Sequence, residues 1–196
     1  MSNLLTVQIR FLFLATLQTR ETLGTSDRKN QDKMIETNRL IIRPYVTSDV
    51  LSAFSLFNDK DVMQFIPNGI DISIQATKDR INKYIIHFNK YGFGKCVLID
   101  KSTNELVGDC GICRIENTVI NELGYRIKKK YWNQGLATEA AIAFIDYAFV
   151  TLKFNEIHAI VEKENKKSIY MLENKLGFKH IGQIHCYGDN FELYRL

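Results

Sequence analysis

From residue 35 onward, apolar positions follow two rhythms, alternation by two and recurrence at three to four. Residues 39–44 (Arg-Leu-Ile-Ile-Arg-Pro) read as a strand that proline ends. Thr47 can then cap a helix whose apolar face is Val50, Leu51, Phe54 and Phe57. Residues 59–67 read as a connection. A second helix is predicted from Ile74 to about Asn89, with Ile81, Ile85 and Phe88 on one side. Two strands follow, over residues 92–100 and 105–115, and Lys101, Ser102, Thr103 and Asn104 between them suit a hairpin turn. A further strand covers residues 123–128. The second half alternates: a helix over 135–150, a strand over 156–162, a helix over 165–176 stopped by Gly177, and strands over 179–186 and 191–196. Strand, two helices, three strands, helix, strand, helix and two strands make an α/β domain on a mixed sheet.

The first 33 residues break this rhythm. Residues 4–17 are apolar and residues 18–33 polar. Gln8 and Arg10 interrupt the apolar part, so it falls short of the roughly 20 apolar residues that span a membrane. It has no clear basic leader or cleavage site. We read residues 1–33 as an N-terminal appendage, with Met34 a candidate start, and residues 34–196 as the domain.

Composition narrows the class. Among 196 residues, 45% are hydrophobic, with nine Tyr and twelve Phe, which suits one packed globular domain and excludes a disordered chain. The net charge is +4, half of it contributed by five basic and three acidic residues in the appendage, and this is no footprint of nucleic-acid binding. Cys110 and Cys113 form a C-x-x-C, but within a strand such residues point to opposite faces, and no second Cys or His pair completes a metal site. His87, His158, His180 and His185 show no metal spacing. We expect no bound metal and a reducing compartment, the cytoplasm.

The stretch richest in chemistry runs Glu-Leu-Gly-Tyr-Arg-Ile (122–127), Lys-Lys-Lys (128–130), then Tyr-Trp-Asn-Gln-Gly-Leu-Ala-Thr-Glu-Ala (131–140). A strand leads through a short loop into a helix whose first turn holds Gly135 and Ala137. The first N–H groups of a helix lack intrahelical acceptors and attract anions, and small residues let a phosphate reach them. No Gly-Lys-Ser/Thr follows, so this is not a P-loop.

With its surroundings, this run resembles the Gcn5-related N-acetyltransferase (GNAT) superfamily, in the branch that contains ribosomal-protein N-terminal acetyltransferases. Tyr131 to Ala140 fits that branch's Tyr-Trp-Gly-x-Gly-x-Ala-x-Glu-Ala, with Asn133 for the first glycine. Further matches are Glu36-Thr-Asn-Arg-Leu40, Arg43-Pro44, Asp61-Val-Met63, and Asn165-x-x-Ser168 before Gly177-Phe178. Lys129 departs from a frequent proline, and Glu173 to Gly177 has one residue more than usual.

The resemblance implies a fold with splayed central strands and helices on both faces, with acetyl-CoA between the strands. Backbone around Ile127 would meet the pantetheine arm. Trp132, Asn133, Gln134, Gly135, Leu136, Ala137 and Thr138 would form the pyrophosphate loop. Asn165 would cap its helix, touch the cofactor, or both. Amine attack on a thioester needs a base and a donor to the leaving thiolate. Glu122 is the candidate base. Leu172 occupies the place of the usual Tyr donor, so Ser168 is the first candidate and Tyr170 the second. Lys128, Lys129 and Lys130 would steer the phosphates or form a solvated edge.

The acceptor would be a primary amine. An α-amine titrates near ~7.7–8.0 and a lysine side chain near ~10.4, a gap of roughly 3.5 kcal/mol that the site must supply. One carboxylate therefore suits a protein N-terminus, as in the ribosomal-protein-alanine type. A small amine (polyamine, aminoglycoside or amino acid) and a non-catalytic acetyl-CoA sensor are the alternatives. Neither a nucleic-acid nor a membrane partner is expected, and the chain would act as a monomer or homodimer.

Overall fold

The structure, a computed structural model, describes residues 34–67, 69–115 and 117–196. The expected appendage, residues 1–33, lies outside the described residues. The strands are β1 (Ile35–Glu36), β2 (Leu40–Pro44), β3 (Lys95–Asp100), β4 (Leu106–Arg114), β5 (Asn121–Ile127), β6 (His158–Val161), β7 (Lys179–Cys186) and β8 (Asp189–Arg195). The helices are α1 (Val50–Phe57), α2 (Lys60–Met63), α3 (Ile74–Tyr91), α4 (Leu136–Val150) and α5 (Lys166–Asn174). The strands form one mixed sheet in the order β1-β2-β3-β4-β5-β6-β8-β7.

Alternation along β3 sends side chains into two cores. Cys96 and Leu98 pack with Ala140 and Phe144 of α4 and Leu172 of α5. Val97 points the other way, to Phe57 of α1 and Ile81 of α3. Helices therefore cover both faces, as the resemblance implied.

Several expected details differ. Leu51 is 71% exposed, and the buried face of α1 is Val50, Ala53, Leu56 and Phe57, because a 3-10 turn over Thr47–Asp49 rotates the entry. Thr47 supplies no cap; Asp49 accepts from Val46 N–H at 2.9 Å and pairs with Arg43 through both oxygens at 2.7 and 2.8 Å. The connection after Asn58 holds α2, which Asp59 starts by accepting from the N–H groups of Asp61 and Val62. Gly92 belongs to no strand. It caps α3 at φ 75°, a left-handed conformation that glycine adopts without strain.

All strand pairings are antiparallel except β5 with β6, which is parallel and has the single register pair Glu122↔His158. Beyond that pair the two strands part. The gap between them is the cleft.

Candidate active site

The cleft has a volume of about 1200 Å³ and reaches from α2 and α3, past the exposed edge of β5, to α4 and α5. Glu122, where β5 and β6 separate, is among its lining residues.

On the α4 side, the loop after β5 turns on Asn133 (φ 60°) and Gly135 (φ 76°). Gly135 is the residue before α4, and Glu139 N–H is the donor that closes onto its carbonyl at 3.0 Å. The N–H groups of Leu136, Ala137 and Thr138 thus have no intrahelical acceptor, and these residues line the cleft. A diphosphate fits such a row of donors.

The loop is held from behind. Glu139 accepts from Thr37 Oγ1 at 2.5 Å, from Arg39 N–H at 2.9 Å and from Arg39 Nε at 2.6 Å. Arg39 Nη1 also donates to the Gln134 carbonyl at 2.8 Å. Partial burial pushes the Glu139 carboxyl upward, but these hydrogen bonds outweigh it and hold it below the usual range. Trp132 donates its indole N–H to the Ile127 carbonyl at 2.7 Å, and Lys167 Nζ lies 5.4 Å from its ring. Trp132 is a brace between loop and strand, and it engages a carbonyl that the resemblance would offer to the pantetheine arm.

Of the three lysines before the loop, Lys129 pairs with Asp61 and Lys130 with Glu105, both on the surface. They form a solvated edge. Lys166, Lys167 and Lys175 line the cleft instead.

Across the cleft, Asn165 caps α5 by accepting from Ser168 N–H at 3.2 Å. Ser168 Oγ and Tyr125 Oη share a 2.7 Å hydrogen bond. Burial pushes the Tyr125 hydroxyl up to about 12, so it keeps its proton through neutral pH. Tyr170 is 57% exposed at the rim, with Lys175 Nζ 6.0 Å from its ring. The phenol next to Ser168 is therefore Tyr125, which the sequence analysis passed over. Alternation along β5 puts Tyr125 on the face toward α5, and that face was the available clue.

Toward α1 and α3, charged groups in and behind the lining form pairs, beside Asp79, Lys83 and the apolar Phe65, Ile66 and Pro67. Asp109, fully buried, accepts from Arg126 through both oxygens and from Tyr45 Oη at 2.9 Å. Arg126 also donates to Tyr84 Oη at 2.9 Å and lies 4.7 Å from the Phe57 ring. Asp71 holds Arg80 Nη2 at 2.8 Å and Thr77 Oγ1 at 2.9 Å. Glu122 faces this half. Its withdrawal from water pushes the carboxyl upward, against the nearby charges of Lys95 and Arg126 and a hydrogen bond with Tyr187.

Cys110 and Cys113 are free thiols, opposite Tyr125 and Glu122 respectively in the adjacent strand. His87 is structural: Nδ1 meets the Phe93 carbonyl at 2.9 Å and Nε2 accepts Arg114 N–H at 3.1 Å. Among the described residues no helix is long and apolar enough to cross a membrane.

Comparison with known proteins agrees with this geometry. A family model described as an acetyltransferase (GNAT) domain matches residues 39–179. The uncharacterized protein YkkB of Bacillus subtilis is 32% identical over 168 residues, which is 84% of this chain and 96% of that protein. The spermidine N(1)-acetyltransferase of Escherichia coli K12 is 41% identical over 154 residues, 73% of this chain and 74% of that one. The crystal structure of a GNAT-family acetyltransferase from Bacillus anthracis superposes with a TM-score of 0.68 at 28% identity, covering 82% and 94% of the two chains. With the parted strands, the donor row at α4 and these relatives together, the chain belongs to the GNAT acetyltransferase family and is an acetyl-CoA-dependent N-acetyltransferase.

Proposed function

We propose that the acceptor is an α-amine, at the N-terminus of a protein or peptide, and that it attacks the acetyl group directly without an acyl-enzyme. The observation that carries this reading is Glu122, a carboxyl raised by burial at the point where β5 and β6 part. A base shifted upward is better matched to an ammonium that titrates near ~7.7–8.0 than an ordinary carboxylate is. Glu122 takes the amine proton, directly or through water.

Bound acetyl-CoA supplies a thioester whose thiolate leaves once it is protonated. The N–H groups from Gly135 to Thr138 would hold the diphosphate, and Asn165 would meet the pantetheine arm. Ser168, held by its hydrogen bond to the protonated Tyr125, would hydrogen-bond the leaving sulfur, and the proton the thiolate takes up balances the one Glu122 removes from the amine. Tyr170, exposed at the rim, is left as a contact of the outer cleft.

Charge does not separate the two acceptors. On the α1–α3 side Asp71 is matched by Arg80, Asp109 by Arg126 and Asp61 by Lys129, and Glu122 has Lys95 beside it. Asp79, which also lines the cleft, meets only the neutral Gln75 amide among the described residues. That carboxylate and the 41% identity to a spermidine acetyltransferase are what the polyamine reading keeps.

The test is CoA release with a panel of Ala- and Ser-initiated peptides, spermidine and an aminoglycoside. The proposal expects a peptide to have a kcat/KM at least about tenfold above spermidine. A higher value for spermidine or the aminoglycoside overturns it. Tight acetyl-CoA binding with no release from any amine would make the chain a sensor.

A further inference from the structure

One row of the sheet has almost no side chains. Lys95 of β3 is in register with Gly111 of β4, and Gly111 with Gly124 of β5. These positions lie on the face that Val97 presents to α1 and α3, the acceptor side of the cleft. A Cβ on Gly111 would overlap the Gly94 carbonyl, so the row is closed to larger residues there. The two glycines leave a bare track, and the Lys95 side chain runs along it. Nζ passes Gly111, whose carbonyl is 3.4 Å away, and ends over Gly124. A Cβ on Gly124 would overlap Nζ and stand 3.5 Å from Glu122 Oε1. The ammonium and the carboxylate are thus neighbours on the cleft floor.

We infer that Lys95 is a positioning residue for the transfer: the Gly111–Gly124 track delivers its ammonium beside Glu122 and keeps that carboxylate ionised and ready to accept the amine proton. The inference rests on the proposed role of Glu122 as base.

The other groups around Glu122 provide less of this. Arg126, four residues along β5, acts in the same direction as Lys95 but more weakly, its charge being committed to Asp109 of β4. Cys113, opposite Glu122 on β4, is a thiol whose burial pushes its ionisation upward. Cys186 at the end of β7 behaves likewise, and Tyr187 in the β7–β8 turn gives a hydrogen bond without charge. His158, the register partner on β6, is held neutral-leaning by burial. Burial also works against the charge on Lys95, yet Cys113, Glu122 and Asp109 together outweigh it and push Lys95 upward. Lys95 therefore stays an ammonium across the range in which Glu122 titrates. An opposite charge at such a distance favours the ionised carboxylate.

Two variants test this, Lys95→Met and Gly124→Ala. The second leaves the lysine in place and displaces only the tip of a flexible side chain. Each is titrated by carbon NMR of the Glu122 carboxyl, without any substrate, and by the pH profile of kcat/KM. Both titration midpoints should move to higher pH, and the acid limb should move with them. On that limb kcat/KM should fall by about tenfold or more, against less than about threefold on the alkaline plateau. Thermal melts confirm that each variant is folded. An unmoved Glu122 midpoint in both folded variants overturns the role of Lys95, whatever Glu122 does. A midpoint that moves while the acid limb stays overturns Glu122 as the base instead.

Discussion

At the start of α4, recognition is offered by main chain. Asn133 and Gly135 turn the backbone so that the first N–H groups of the helix line the cleft, and the side chains behind them (Thr37, Arg39, Glu139, Trp132) only hold the turn in place. Across the cleft, toward α1 and α3, the lining is made of side chains: Arg126, held from behind by Asp109, Asp71 paired with Arg80, Asp79 and Lys83, and the apolar Phe65, Ile66 and Pro67, with Glu122 and Lys95 at the floor. A backbone cradle fits any ligand with a diphosphate and needs small residues at fixed spacing. A side-chain lining can be rewritten residue by residue, and on the proposed reading acceptor choice would reside there.

Substitutions that act on one half and spare the other sharpen this contrast. Arg126→Met leaves Asp109 as an uncompensated buried carboxylate, and breaking such a pair costs about 3–5 kcal/mol. For a chain of this size that is a loss on the order of 10 °C in Tm, read by thermal melt. Glu122→Gln should lower kcat by about 10²–10⁴, the usual contribution of a general base, without a loss of Tm. Ser168→Ala and Tyr125→Phe should each lower kcat by about tenfold. Because they share one hydrogen bond, the double variant should fall short of the product. Gly135→Ala forces a left-handed residue to carry a Cβ, at a cost of about 1–2 kcal/mol. It should weaken acetyl-CoA about tenfold by calorimetry while leaving the acceptor KM alone.

The smallest effect is one of pH. Burial holds His87 below its ordinary value, and its neutral ring accepts from Arg114 N–H. A histidine depressed in the fold stabilises it above the unfolded value near ~6.5 and loses that contribution as pH falls. Melts on the acid side should therefore show a shallower dependence in His87→Gln than in the parent chain.

The loop from Tyr131 to Ala140 was legible because its requirements are local: small residues, a helix start, a fixed spacing. Glu122, Ser168 and Asn165 were reached through family resemblance, and the fold does bring them to one cleft. What escaped the sequence depends on strand register and on side chains meeting across long separations. Nothing in Lys95, Gly111 and Gly124 announces that they share a row. Tyr125 stands 43 residues from Ser168. The Glu139 clamp was visible as two matched fragments, 36–40 and 131–140, but not as one contact. Leu51 was misassigned because a 3-10 turn rotates α1, and apolar spacing does not encode that rotation.

The division of labour between the two halves is tested most directly by the calorimetric acetyl-CoA Kd of the Glu122→Gln protein. The account predicts a Kd within about twofold of the parent chain alongside a loss of turnover. A Kd weakened by tenfold or more would contradict it, because Glu122 would then belong to the cofactor half.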